Sequence, residues 1–317
     1  MFAAKKTKVI FIVGPTAIGK TRLAIKVARM VGGEIISADS MQAYKGMAVL
    51  SQAPTADEKK MARHLLTGIL KSSEEYSAAL FRKKATAAIR SAAKRKKIPI
   101  VAGGSGLYVK ALIDGLFPSP EADIKFRRKM ERIMAKKGSL YLHKRLSAID
   151  PDSAEKIHPN DKRRIIRALE IFDSTGKTMT ELKAATKGLK DECDVDIFGL
   201  TAPRDKLYDN INARSEAIVG SGAIREVKSL KKKALSKTAI SVLGFKEISG
   251  FLDGEYSLDE AMELLKMNTR NFAKRQLTWF RADPRVRWFD VTRMSETAIV
   301  REIVKSTRRK TQERKSA

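Results

Sequence analysis

Residues 14–21 read Gly-Pro-Thr-Ala-Ile-Gly-Lys-Thr and satisfy G-x-x-x-x-G-K-[ST] at every fixed position, and no other stretch restricts the fold as strongly. The context is the one the pattern requires. Residues 8–13, Lys-Val-Ile-Phe-Ile-Val, form a continuous apolar run that predicts a buried parallel strand. After the loop, Leu23, Ala24, Val27, Ala28 and Val31 repeat at helical spacing. In such a strand–loop–helix unit Gly14, Pro15, Thr16, Ala17, Ile18 and Gly19 present backbone N–H groups to phosphate oxygens. Lys20 adds a point charge, and the Thr21 hydroxyl can ligate Mg²⁺. The motif specifies a polyphosphate, not a nucleoside triphosphate.

Two further short strands are expected at residues 34–38 and 98–102, separated by an Ala/Lys/Arg-rich helix over residues 76–97. Strands alternating with helices predict an α/β fold class, a P-loop NTPase-like parallel sheet core. The composition shifts at Phe117-Pro118-Ser119-Pro120. Residues 123–190 show no strand pattern, only helical segments broken at Gly138, Asp150-Pro151, His158-Pro159 and Ser174-Thr175-Gly176. The expected organisation is therefore a core over 1–118, an all-helical insertion over 119–192, a mostly helical return of the core over 193–305, and a flexible basic tail over 306–317. A strand is expected at 195–200. A capping box at Ser257–Glu260 predicts a helix with Leu265, Phe272 and Trp279 on one face and Arg270, Lys274 and Arg281 on another.

Composition narrows the partners. Lys and Arg total 64 against 36 Asp and Glu, a net charge of +28 in 317 residues, which points to a polyanion. The apolar runs are too short to cross a bilayer, so no membrane association is expected. The start lacks a secretory h-region, and the single Cys193 excludes an internal disulfide, so a cytoplasmic location is expected. His64, His143 and His158 show no ligand spacing.

An ATPase of this fold places Asp or Asp-Glu at a strand end to hold magnesium and orient water. Here the strand at 98–102 runs into Gly103-Gly104-Ser105-Gly106 instead. The strand-end carboxylate behind the loop is Asp39, which faces the ligand crevice of such sheets. It is placed to bind magnesium through water, to accept a proton from a nucleophile, or to cap a turn. Ser105 ends the next strand in a glycine turn that exposes its hydroxyl.

In order along the chain stand Gly-Pro-Thr-Ala-Ile-Gly-Lys-Thr (14–21), Ser-Ala-Asp-Ser-Met-Gln-Ala-Tyr-Lys-Gly-Met (37–47), Gly-Gly-Ser-Gly-Leu-Tyr (103–108) and His-Pro-Asn-Asp (158–161). Arg164, Arg167-Ala-Leu-Glu170 and Ser-Thr-Gly-Lys-Thr (174–178) follow, then Leu-Gly-Phe-Lys-Glu (243–247) and Ala-Lys-Arg-Gln-Leu-Thr-Trp-Phe-Arg (273–281). This ordered set closely resembles the tRNA dimethylallyltransferase family over nearly the whole chain. The resemblance implies a prenyl transferase, expected to act as a monomer with Mg²⁺. Its substrates would be dimethylallyl diphosphate and the anticodon stem-loop of tRNA, and its acceptor the N6 amine of the adenosine next to the anticodon.

By the same resemblance residues 14–21 and Arg214 grip the diphosphate, Thr21 holds the metal, and Asp39 accepts the N6 proton. Lys20 stabilises the leaving group, and Ser105 stands where the family usually has Thr. Contacts to tRNA would come from Asp39, Ser40, Met41, Gln42 and Ser105 at the reaction centre. Arg127, Arg163, Arg164, Ile165, Ile166 and Arg167 would contribute from the insertion. Ser241, Val242, Leu243, Gly244, Phe245 and Lys246, with Arg270, Lys274, Arg275 and Arg281, would contribute from the core. Residues 48–70 depart from the family pattern at Val49-Leu-Ser-Gln-Ala-Pro54 and Arg63-His64-Leu-Leu-Thr67-Gly68, and Arg214-Ser-Glu-Ala-Ile218 replaces Arg-Val-Asp-x-Met. The competing readings are an adenylate isopentenyltransferase acting on free nucleotide, a P-loop kinase or NTPase acting on RNA, and a non-catalytic RNA-binding module. The insertion and charge oppose the first, the missing carboxylate strand end the second, and the complete phosphate loop the third.

Overall fold

The structure is a computed structural model and describes residues 6–117 and 122–312. Six parallel strands build one sheet: β1 (Thr7–Val13), β2 (Gly33–Ser37), β3 (His64–Leu65), β4 (Ile98–Gly103), β5 (Cys193–Thr201) and β6 (Val286–Asp290). Their spatial order is β3-β2-β4-β1-β5-β6. Because β1 is central and covered on both faces, Val9 to Val13 are all fully buried, which is why the run reads as continuously apolar. Alternation splits it. Val9, Phe11 and Val13 join the cluster on one face with Phe81, Ala85 and Ile89 of the helix Ala78–Lys94. Ile10 and Ile12 join the other, with Leu23, Val27, Leu207, Ile211 and Ile303. Each such side chain contributes about 1.5–3 kcal/mol through burial, so a polar substitution within β1 would unfold the site's scaffold.

The chain divides into two compact units, residues 1–113 with 189–317 and residues 114–188. The second unit thus begins earlier and ends earlier than the expected 119–192. Of the boundary motif, Pro118, Ser119 and Pro120 lie outside the described residues. Within the unit the expected breaks all recur: helices Ile124–Lys137, Ser139–Ile149, Pro151–Lys156 and Lys162–Thr175 are separated at Gly138, Asp150 and residues 157–161. Asp123, Asp150 and Asp161 cap three of these helices through side-chain acceptors, and Gly176 closes Lys162–Thr175 in the left-handed region.

Four expectations need correction. Strand β3 was not anticipated, because two residues carry no periodicity. Strand β6 was not expected within the mostly helical return of the core; its signal is Val-Arg-Trp-Phe after Asp283-Pro284. The buried stripe of the helix Leu258–Arg281 is Ala261, Leu265, Thr269, Ala273, Gln276 and Phe280, whereas Phe272 is half-buried and Trp279 is 37% exposed. A seven-residue step drifts from a straight helix by about 20°, which is enough to carry Trp279 off the buried stripe. Finally, the basic tail begins as helix: Glu296–Gln312 is continuous backbone, and residues 313–317 lie outside the described residues.

Candidate active site

The loop after β1 is shaped by backbone conformations that only particular residues tolerate. Gly14 has φ +143°, and a Cβ there would lie 2.7 Å from the Leu200 carbonyl oxygen of β5. Gly19, at φ 89°, begins the helix Lys20–Val31 without any side-chain cap, so its first N–H groups remain available to an anion. Lys20 donates to the Pro15 carbonyl at 2.6 Å and so curls back over the loop.

The turns after β2 and β4 are tied together beside it. Ser105 N donates to Ala38 O at 3.2 Å, Ser40 N donates to Ser105 Oγ at 3.2 Å, and Met41 N donates to Asp39 Oδ1 at 2.8 Å. Asp39 therefore does close a local turn, with one oxygen, and no other hydrogen bond to its carboxylate is found among the described residues. Ser105 accepts through Oγ and keeps its own O–H for an outside acceptor. A Cβ on Gly103 would sit 2.2 Å from Ala38 O, and one on Gly106 would sit 2.2 Å from Trp279 Cδ1. The glycines of 103–106 are close-approach residues rather than hinges.

These ends open on a cavity of about 720 Å³ whose lining includes Thr16 to Arg22, Asp39, Gln42, Arg214, Ser221 and Gln276. Ala48, Val49, Gln52 to Ala56 and Glu58 form a further wall. That wall is the segment where the family pattern lapses. It is held by Glu226, whose carboxylate accepts from Val49 N at 3.0 Å and Leu50 N at 2.9 Å, and by a capping box between Thr55 and Glu58. Glu226 was not singled out from sequence. Ser105 is not on the cavity wall; it reaches the site through Ser40. Burial, opposed by Asp39 and reinforced by Arg214, lowers the Lys20 pKa from 10.5 to about 7. Burial likewise lowers Arg214, with Asp39 opposing it. Two cations face one carboxylate in a confined space, which is an arrangement that awaits an anion.

Gln276 was likewise missed as a site residue. It is 5% exposed, accepts from Thr16 N at 2.8 Å and donates to Gly104 O at 3.0 Å. A polar side chain on the buried stripe between Ala273 and Phe280 was the available signal.

The residues nominated for nucleic-acid contact sort by exposure. Arg163 and Arg164 are exposed, while Ile165 and Ile166 belong to the core of the helical unit and cannot offer their side chains. Arg127 and Arg167 both pair with Glu170, which is 1% exposed. Ser241 and Lys246 are exposed and Leu243 is half-buried, but Val242, Gly244 and Phe245 are buried. On the long helix Lys274, Arg275 and Arg281 are exposed, and Arg270 lies 5.8 Å from the Tyr208 ring centre.

A glycine-rich loop on the central strand of an all-parallel sheet, with helices on both faces, defines a protein of P-loop-like α/β fold. The family model described as IPP transferase matches residues 42–283. The tRNA dimethylallyltransferase of Carboxydothermus hydrogenoformans is 46% identical over 94% of this chain and 96% of its own length. That of Halothermothrix orenii is 43% identical over 94% and 92%. Among solved structures, the full-length tRNA isopentenylpyrophosphate transferase of Bacillus halodurans superposes with a TM-score of 0.73 at 39% identity, covering 98% of this chain and 99% of that one. A eukaryotic dimethylallyltransferase acting on tRNA superposes with a TM-score of 0.74 at 31% identity, over 90% and 74%. The chain belongs to the IPP transferase family. No helix among the described residues is long and apolar enough to cross a membrane.

Proposed function

We propose that this chain transfers a dimethylallyl group from dimethylallyl diphosphate to the N6 amine of the adenosine 3′-adjacent to the anticodon of tRNA, releasing pyrophosphate. The observation that carries the reading is the single cavity lined by the phosphate loop, Lys20, Thr21, Arg214 and Asp39. Loop amides, Lys20 and Arg214 hold the diphosphate and take up the negative charge that grows as the allylic C–O bond breaks. Adenine N6 is a weak nucleophile because its lone pair is delocalised into the ring. The new N–C bond leaves a surplus proton, and Asp39 accepts it. Ser105 presents its free O–H to the acceptor nucleotide, which must leave the base stack to bring N6 to the allylic carbon.

The residues fit a magnesium ion. The cavity offers oxygen donors in the Thr21 hydroxyl and the Asp39 carboxylate, while among the described residues no cluster of three His, Cys, Asp or Glu exists. That sparse oxygen set suits an ion that keeps several waters and completes its shell with substrate phosphates. Thr21 would hold it, and bound there it would neutralise diphosphate charge. The exposed cations Arg163, Arg164, Lys246, Lys274, Arg275 and Arg281 supply phosphate contacts to the anticodon stem-loop. The reading includes a monomer, and the tRNA substrate supports a cytoplasmic setting.

The test incubates the protein with Mg²⁺, labelled dimethylallyl diphosphate and either unmodified tRNA or AMP. Label enters tRNA and not AMP. Label in AMP would transfer the reading to a free-nucleotide prenyltransferase.

A further inference from the structure

Strands β1 and β4 run side by side up to the pairing of Val13 with Gly103. Past that point the chains diverge into the phosphate loop and the Ser105 turn, and among the described residues no backbone hydrogen bond joins the two. The carboxamide of Gln276 bridges them by hydrogen bonds: it accepts from Thr16 N at 2.8 Å and donates to Gly104 O at 3.0 Å. Reversing the amide would set donor against donor and acceptor against acceptor, so its orientation is fixed by its neighbours. The fit is tight. A Cβ on Gly104 would lie 2.1 Å from Gln276 Nε2, so residue 104 must be glycine for the link to form. One turn later on the same helix Trp279 packs on Gly106 in the same manner.

We propose that Gln276 is a positioning residue that sets the register between the diphosphate loop and the acceptor turn, so that occupancy of one orders the other. The proposal rests on the function proposed above. Its physical basis is that a bridge with one bond to each side transmits a shift of either turn to the other, whereas two independent turns would each relax alone. The near-attack distance between allylic carbon and N6 depends on that register, because donor and acceptor are held by different strand ends.

Two variants separate the halves of the bridge. Gln276→Met keeps the volume and removes both bonds. It should raise KM for the diphosphate and lower kcat, with kcat/KM falling about a hundredfold, roughly tenfold for each buried partner left unsatisfied. Gln276→Glu keeps the acceptor for Thr16 N and loses the donor to Gly104 O. Its diphosphate KM should stay near that of the unaltered protein while kcat falls about tenfold. Burial raises the pKa of the introduced carboxyl, and the protonated form regains an O–H donor for Gly104 O. The ratio of its kcat to that of the unaltered protein should therefore rise as pH falls from about 8 to about 6. A residue that only stabilises the fold would lower Tm in both variants and leave the constants per folded molecule, and their pH profiles, parallel to the unaltered protein. That outcome overturns the proposal.

Hydrogen exchange reads the coupling without prenyl transfer. Pyrophosphate with Mg²⁺ should slow exchange at residues 14–21 and also at 103–108 in the unaltered protein, but only at 14–21 in Gln276→Met. Protection of both segments in the variant refutes the coupling and leaves the proposed function standing. Coupled protection in a protein that transfers no prenyl group refutes the function and leaves the coupling.

Discussion

Raising the pH from 6 to 8 should weaken diphosphate binding through Lys20 alone. Burial against the loop, with Arg214 adding to it and Asp39 opposing, brings this ammonium to a pKa of about 7 in the free protein. A bound diphosphate restores the charge, so binding draws in a proton whenever Lys20 starts neutral. The apparent dissociation constant then scales as 1 + 10^(pH − pKa), roughly 1.1 at pH 6 and roughly 11 at pH 8, a loss of about tenfold. Calorimetry with pyrophosphate and Mg²⁺ in buffers of differing ionisation enthalpy measures the uptake, about half a proton at pH 7 and about 0.9 at pH 8. Pyrophosphate titrates too, so Lys20→Arg is the reference; it keeps the charge throughout, and the ratio of the two affinities isolates Lys20. The same pKa fixes the sign for stability. The folded value lies below the unfolded 10.5, so the unfolded state binds more protons between pH 7 and 10.5 and the free protein gains stability as pH rises through that window. Equal proton uptake by the unaltered protein and Lys20→Arg would refute this reasoning.

Other consequences are more local. Asp39→Asn should lower prenyl transfer by roughly 10²–10⁴-fold while tRNA affinity, read by filter binding, is largely kept; equal loss of both would make Asp39 a binding or folding residue. In the helical unit burial pushes the Glu170 pKa up, but hydrogen bonds from Arg127, Arg167 and Asp123 N outweigh it and hold it low. That stabilisation is present above the unfolded carboxylate pKa and lost as pH falls through the lower folded value. Glu170→Gln should cost about 2 kcal/mol at neutral pH by denaturant unfolding, and a difference near zero would show the network to be neutral. Affinity for tRNA should fall by at least roughly 10²-fold between about 50 and 200 mM salt, whereas diphosphate, held by amides and confined cations, should change far less; parallel slopes would contradict two separate tasks for the +28 charge.

The phosphate loop, β1, β2, β4, β5 and the helix breaks of the second unit are legible in sequence because each depends on local chemistry: an apolar run, a glycine at a fixed offset, an Asp before a helix. What escapes is set by tertiary contact. His64–Leu65 is a strand only because β2 offers an edge at Ile35 and Ile36. The wall at 48–58 closes on the cavity through Glu226, 176 residues away from Leu50, and no spacing rule links the two. The run from Arg163 to Arg167 looks uniformly suited to a polyanion until helical rotation turns Ile165 and Ile166 into the core. Gln276 was within reach, since an amide on an apolar stripe demands buried partners, but their identity needed the turn beside Gly104.

The central claim is that donor diphosphate and acceptor adenosine meet at the ends of β1, β2 and β4. A single-turnover reaction with unmodified tRNA, followed by nucleoside mass analysis, tests it most directly. The account predicts one adenosine per tRNA, 3′-adjacent to the anticodon, carrying a dimethylallyl group on N6, with pyrophosphate released in equal amount. RNA-stimulated hydrolysis of ATP with no prenylated nucleoside would contradict it.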